Sequence, residues 1–130
     1  MRKVLLACLV VAATAPLTTS GAARGREALP MATPAGKPES CIPLVSIRQS
    51  HVRNDHVIDF EMNGGKVYRN TLPDGCPGLG FDESFTYRTS LSQLCSSDII
   101  TVLQSPGPRR GASCGLGQFQ PVTLAKKARR

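Results

Sequence analysis

Val57-Ile-Asp-Phe-Glu-Met62, Asn63-Gly-Gly65 and Lys66-Val-Tyr-Arg-Asn-Thr-Leu72 decide the fold. Two alternating runs around a glycine turn predict a β-hairpin. Ile58, Phe60 and Met62 share one face and Asp59 and Glu61 the other, so the first set should pack inward and the second should meet water. A three-residue loop of Asn63, Gly64 and Gly65 sets Phe60 across from Tyr68 and Asp59 across from Arg69. A two-residue Asn-Gly turn would instead pair Glu61 with Lys66 and Phe60 with Val67. The longer loop is favoured because it brings two aromatic rings together.

Upstream, Leu44, Ser46, Arg48 and Ser50 alternate with Val45, Ile47, Gln49 and His51. This predicts a strand from Val45 to Val52 with the second, more apolar set facing the core. Arg53-Asn-Asp-His56 reads as a turn, since Asn and Asp bond locally to the backbone. Downstream, Pro73, Asp74-Gly75 and Pro77-Gly78 break regular structure from Thr71 to Gly80. Phe85, Tyr87 and Thr89 predict a fourth strand, and the β-branched run Ile99-Ile-Thr-Val-Leu103 a central one. Gln104 to Ser113, rich in proline and glycine, reads as a mobile loop carrying Arg109 and Arg110. Leu116 to Val122 predicts a sixth strand, ending at Pro121 on a sheet edge. No sustained helical period occurs after Ala23. The expected fold is all-β, a small antiparallel barrel or sandwich of five to seven short strands.

The chain of 130 residues has room for one domain, and its beginning is not expected to belong to it. Arg2 and Lys3 precede the apolar run Val4 to Ala13, then small and polar residues reach Ala23. That order is the one a secretory signal peptide shows, with cleavage expected near Ala22 or Ala23. The run is about half the roughly 20 residues a spanning helix requires. Leu5-Leu-Ala-Cys8 looks like a lipoprotein box, but cutting there leaves almost no apolar core in the leader, so lipidation at Cys8 is not expected. The domain plan is therefore a signal peptide over 1–23, a flexible linker over 24–40, a β domain over 41–124 and a basic tail over 125–130. A periplasmic or secreted location follows.

Without the leader, Cys41, Cys76, Cys95 and Cys114 remain, an even number in a short exported chain, which predicts two disulfides. No two lie within the two-to-four-residue spacing that structural zinc sites use. Four cysteines allow three connectivities and spacing does not choose among them; the nested pairing, Cys41 with Cys114 and Cys76 with Cys95, is the expectation carried forward. Each bridge would stabilise by roughly 3 to 4 kcal/mol through loop closure.

The net charge of +7 invites a nucleic-acid reading. Its location argues against one. Arg24, Arg26, Lys37, Lys126, Lys127, Arg129 and Arg130 lie in the flanks, while Arg48, Arg53, Lys66, Arg69, Arg88, Arg109 and Arg110 are matched one for one by Asp55, Asp59, Glu61, Asp74, Asp82, Glu83 and Asp98. A nucleic-acid module carries its basic residues on the domain face, often among stacking aromatics. No nucleic-acid partner is expected, and the basic tail offers at most weak peripheral contact with an anionic membrane.

Cys41 opening a strand, Leu72-x-x-x-Cys76-Pro-Gly-Leu79, Leu94-Cys95-x-x-Asp98-x-Ile100-x-Val102 and Cys114-x-Leu116 together resemble a family of small exported proteins of Gram-negative bacteria, catalogued as a domain of unknown function. The resemblance runs from about Cys41 to Val122. It implies a periplasmic or envelope location and assigns no chemistry.

Gly78-Leu-Gly-Phe81 matches the loop with which PDZ domains cradle a peptide carboxylate. Asp82 and Glu83 follow it, placing negative charge where the anion would sit, so a turn with Leu79 and Phe81 packed inward is preferred. His51 and His56, with Asp55 and Asp59, form the one cluster of potential metal ligands; the ordinary reading is surface and turn residues, and no metal or cofactor is expected. No Gly-x-Ser-x-Gly elbow supports a catalytic triad, and oxidised cysteines offer no thiolate. No catalytic residue is assigned. The expected function is a non-catalytic binding or structural module of the cell envelope, meeting an envelope protein or polymer through Arg109 and Arg110. A small disulfide-tied inhibitor of proteases or lysozyme-like hydrolases is the alternative, and a hydrolase the next.

Overall fold

The computed structural model describes residues 28–107 and 109–126. The leader with Cys8, its cleavage sites, the first residues of the expected linker and the tail from Lys127 lie outside them. The described chain is mostly strand: β1 Ala32–Pro34, β2 Cys41–Pro43, β3 Ile47–Val52, β4 Val57–Met62, β5 Val67–Thr71, β6 Phe85–Tyr87, β7 Gln93–Cys95, β8 Ile99–Gln104, β9 Arg109–Gly115 and β10 Phe119–Leu124. One α-helical turn, α1 Leu79–Asp82, interrupts them. All pairings are antiparallel, in a five-stranded sheet ordered β1-β10-β5-β4-β3, a three-stranded sheet ordered β6-β8-β9 and a two-stranded sheet of β2 with β7.

The β4–β5 hairpin takes the three-residue loop. Phe60 faces Tyr68 and Asp59 faces Arg69, Met62 N–H donates to the Lys66 carbonyl at 2.7 Å, and Gly64 and Gly65 both hold positive φ, which residues with a Cβ resist. Phe60 is the centre of the core. Its ring meets Phe119 of the same sheet edge-on at 5.6 Å and Phe85 of the three-stranded sheet at 6.4 Å. The two sheets therefore face one another as a sandwich. Ile42, Ile58, Leu72, Leu79, Leu94, Ile100 and Val102 complete the dry interior. Burying each side chain of this size contributes about 1.5 to 3 kcal/mol.

Both disulfides form, with a connectivity that corrects the nested expectation: Cys41 bonds Cys95 and Cys76 bonds Cys114. The reason is non-local strand pairing. β2 lies against β7 with Cys41 directly opposite Cys95, flanked by hydrogen bonds from Ser96 N–H to Ser40 O and Leu44 N–H to Ser92 O. That spacing makes Cys41–Cys95 a pair without its own ladder bonds, where antiparallel side chains approach closest. Both bridges support an oxidising, non-cytoplasmic setting, and no described helix is long and apolar enough to cross a membrane.

Several local expectations are corrected. Part of the stretch read as a linker is ordered structure: β1 pairs with β10, and Glu39 bridges Phe119. Pro121 accordingly sits in an inner strand, tolerated because its missing donor faces the end of short β1, where Ala35 N–H still donates to the Pro121 carbonyl at 2.9 Å. Leu44–Ser46 form a 3-10 turn and the register shifts between Ile47 and Gln49. Past that bulge Ser50 and Val52 oppose core residues Phe60 and Ile58, which turns His51 outward and leaves Val45 83% exposed. Gln104 to Ser113 is a hairpin rather than a mobile loop, because Gln104 pairs with Arg109 and Leu103 with Arg110. Pro106 and Gly107, the latter at positive φ, lie in its turn. Of the Gly78–Phe81 stretch only Leu79 packs inward; Phe81 is 90% exposed.

Candidate functional site

The outer face of the five-stranded sheet carries a row of charges in register: His51 of β3, Asp59 of β4 and Arg69 of β5. Alternation along β4 puts Asp59 on the side away from Phe60, where water was expected, yet it is fully buried. The cause is two arginines folded over it. Arg69 donates from Nε to Oδ1 at 2.7 Å and from Nη2 to Oδ2 at 2.9 Å, and Arg53 donates from Nε to Oδ2 at 2.8 Å. The neighbouring Glu61 is held by Arg48 Nη1 at 3.2 Å and lies 3.3 Å from His51 Nε2. Desolvating a carboxylate is costly unless its oxygens are bonded and its charge matched, and here both conditions hold.

The outer face of the three-stranded sheet is built differently. Thr86, Thr101 and Ser113 project from successive strands, the last two joined through their hydroxyls at 2.8 Å. Thr86 and Thr101, with Arg88, Ser97, Asp98, Ile99 and Arg110, line an open depression of about 470 Å³. Asp98 is occupied locally, its Oδ2 accepting the Cys95 N–H at 2.7 Å. Among the described residues neither Arg88 nor Arg110 has a carboxylate partner. Arg88 and Arg110 thus flank hydroxyls, an exposed isoleucine and the Asp98 carboxylate, so the lining carries one net positive charge and guanidinium donors of the kind that bind anions by charge-assisted hydrogen bonds.

Of the two arginines singled out from the sequence, Arg110 lines this depression, whereas Arg109 alternates away from it and stays exposed. Arg88, just past β6, was missed. The signal available for it was its position one residue after a strand whose alternate residue Thr86 faces outward. The histidines do not converge. His51 engages Glu61, and His56 lies over Gly75, where a Cβ would strike its ring. Asp55 fixes the fold, its Oδ1 accepting the Gly80 N–H at 2.7 Å while its carbonyl accepts the Cys76 N–H at 2.7 Å. Among the described residues no three His, Cys, Asp or Glu side chains gather as metal ligands. A PDZ-like cradle is absent from Gly78–Phe81, because Leu79, Gly80 and Phe81 give their N–H groups to Cys76 O, Asp55 Oδ1 and Gly78 O.

No family model, no curated protein and no solved structure matches the chain.

Proposed function

We propose that the protein is a non-catalytic binding module of the bacterial envelope, periplasmic or secreted, which meets an anionic group on an envelope protein or polymer through the Arg88–Arg110 depression. The observation that carries this reading is that two arginines with no carboxylate partner among the described residues line one hydroxyl-bearing concavity fed by separate strands. The compartment is supported by the leader-like N-terminus and by four oxidised cysteines. The resemblance to small exported proteins of Gram-negative bacteria belongs to the same proposal.

Immobilised protein incubated with envelope extract is the test. The wild type retains a partner that rising salt releases, since exposed charges are screened at high ionic strength, and an Arg88→Ala/Arg110→Ala variant retains none. Full retention by that variant, with its thermal midpoint unchanged, removes the depression as the contact surface.

A second reading rests on Phe81. Its ring projects from α1, a turn fixed by the Cys76–Cys114 bridge and by Asp55, and a large exposed aromatic on a rigid mount suits an inhibitor's anchor in a hydrolase cleft. Inhibition of a panel of proteases and lysozyme-like hydrolases, abolished by Phe81→Ala, would favour it. Turnover of an ester, peptide or glycan by the pure protein would favour the hydrolase reading over both.

A further inference from the structure

Asp59 serves two arginines with one charge. Arg53 Nε and Arg69 Nη2 converge on the same oxygen, Oδ2, at 2.8 and 2.9 Å, so two like charges lean on a single countercharge that is itself fully buried. Each guanidinium carries five N–H donors. Among the described residues Arg53 spends only Nε, and Arg69 spends Nε and Nη2. Both remaining Nη groups of Arg53 and Nη1 of Arg69 have no acceptor among the described residues. Their side chains are 22% and 13% exposed, enough to touch solvent.

The surroundings do not neutralise the excess. Glu61, on the same face, is already engaged by Arg48 and His51. Gln120, beside Arg69 in the next strand, directs its Nε2 to the carbonyls of Gly36 and Pro121. Toward the other end of the row, Val57 and Thr71 supply no charge. One positive charge is left over in a site already partly stripped of water, where Coulomb attraction is stronger than at a free surface.

We propose that Arg53 and Arg69, oriented by Asp59, form a binding site for a small inorganic oxyanion of the phosphate type. It lies on the outer face opposite the Arg88–Arg110 depression and is independent of the function proposed for that surface. Asp59 is the positioning residue: holding both Nε groups fixes the forks, so less side-chain freedom is lost when the anion binds. The free Nη donors make the contacts.

Titration with inorganic phosphate at constant ionic strength, read from the ¹⁵N-labelled Nε–H signals of all arginines, tests the site. Saturable shifts at Arg53 and Arg69, with Arg48 and Arg109 unmoved, are the expected result, and any response of Arg88 and Arg110 belongs to the other face. Arg53→Gln should weaken the binding read at Arg69 about tenfold, the loss of one charge-assisted contact, and Arg53→Lys, which keeps the charge without the fork, should fall between. Because Arg53→Gln also removes a partner of Asp59, the wild-type titration is decisive alone. Shifts at Arg53 and Arg69 that rise linearly and no further than those at Arg48 and Arg109 would mean an ion atmosphere only, and the proposal would be withdrawn.

Discussion

The outer faces of the two larger sheets use the same side chain to opposite ends. On the five-stranded sheet Arg48, Arg53 and Arg69 are each bonded to a carboxylate, whereas on the three-stranded sheet Arg88 and Arg110 have none among the described residues. The first arrangement closes a surface: it takes Asp59 out of water and ties β3, β4 and β5 across their register. The second leaves whole guanidinium forks open to a partner, where Arg53 and Arg69 keep only outer Nη donors free. A guanidinium's role here is decided by whether the strand pairing brings a carboxylate to it, and neither composition nor net charge carries that information.

The covalent links divide along the same line. Neither disulfide lies within the five-stranded sheet; one staples β2 to β7 and the other ties the segment before α1 to β9. A sheet with five paired strands holds itself by ladder, core and ion pairs, while a two-stranded ribbon is marginal alone and the short three-stranded sheet gains a fixed neighbour from its bridge.

Removing the staples is the largest break in this comparison. By loop closure each bridge, spanning 54 and 38 residues, stabilises by about 4 kcal/mol. Reduction should therefore unfold the domain at ambient temperature, with exchange protection lost first at β7 and β9 and last at β4, as amide hydrogen exchange would record. Earlier loss at β4 than at β9 would reverse the assignment of which half depends on cysteine.

Next in size is Asp59→Ala. It strands two guanidinium groups against each other and should cost about 3 to 5 kcal/mol in chemical denaturation. A cost under about 0.5 kcal/mol, the range of ordinary surface changes, would mean that the row contributes no more than the exposed charges opposite.

The smallest effect concerns Lys66, which lies over the Tyr68 ring at 4.6 Å and 3.7 Å from Glu39. Hydrogen bonding with Tyr68 is the main cause that raises its pKa; burial opposes it, and the charges of Tyr68 and Glu39 add to it. A raised lysine pKa means a contribution fully present below the unfolded value of roughly 10.4 and lost as pH climbs through the folded one. Exposure keeps it small. Wild type and Lys66→Met should thus converge in stability above that range, and a gap that widens with pH would contradict the sign.

How much of this was legible in the sequence differs by element. The β4–β5 register could be read because Asn63-Gly-Gly65 and the two aromatics are local signals. The burial of Asp59 could not, since alternation assigns a side chain to a face but does not say that Arg53 and Arg69 will cover it. The disulfide pairing depends on β2 meeting β7 across fifty residues of chain, roughly, and no spacing rule contains that contact. β1 was hidden by its Ala and Pro content, which suits an edge strand as well as it suits a linker. Pro106 and Gly107 announced a turn but not how tight it is, so Arg109 and Arg110 were placed on a loop when they begin a strand.

The most direct test sets the two arginine pairs against each other in one experiment, measuring thermal midpoint and retention of the envelope partner together. Arg88→Ala/Arg110→Ala should abolish retention with the midpoint unchanged, while Arg53→Ala/Arg69→Ala should lower the midpoint sharply and, at a temperature where the variant is still folded, keep the partner. A midpoint that falls for the first pair, or retention that survives it, would contradict the division between charges that hold the fold and charges that meet the partner.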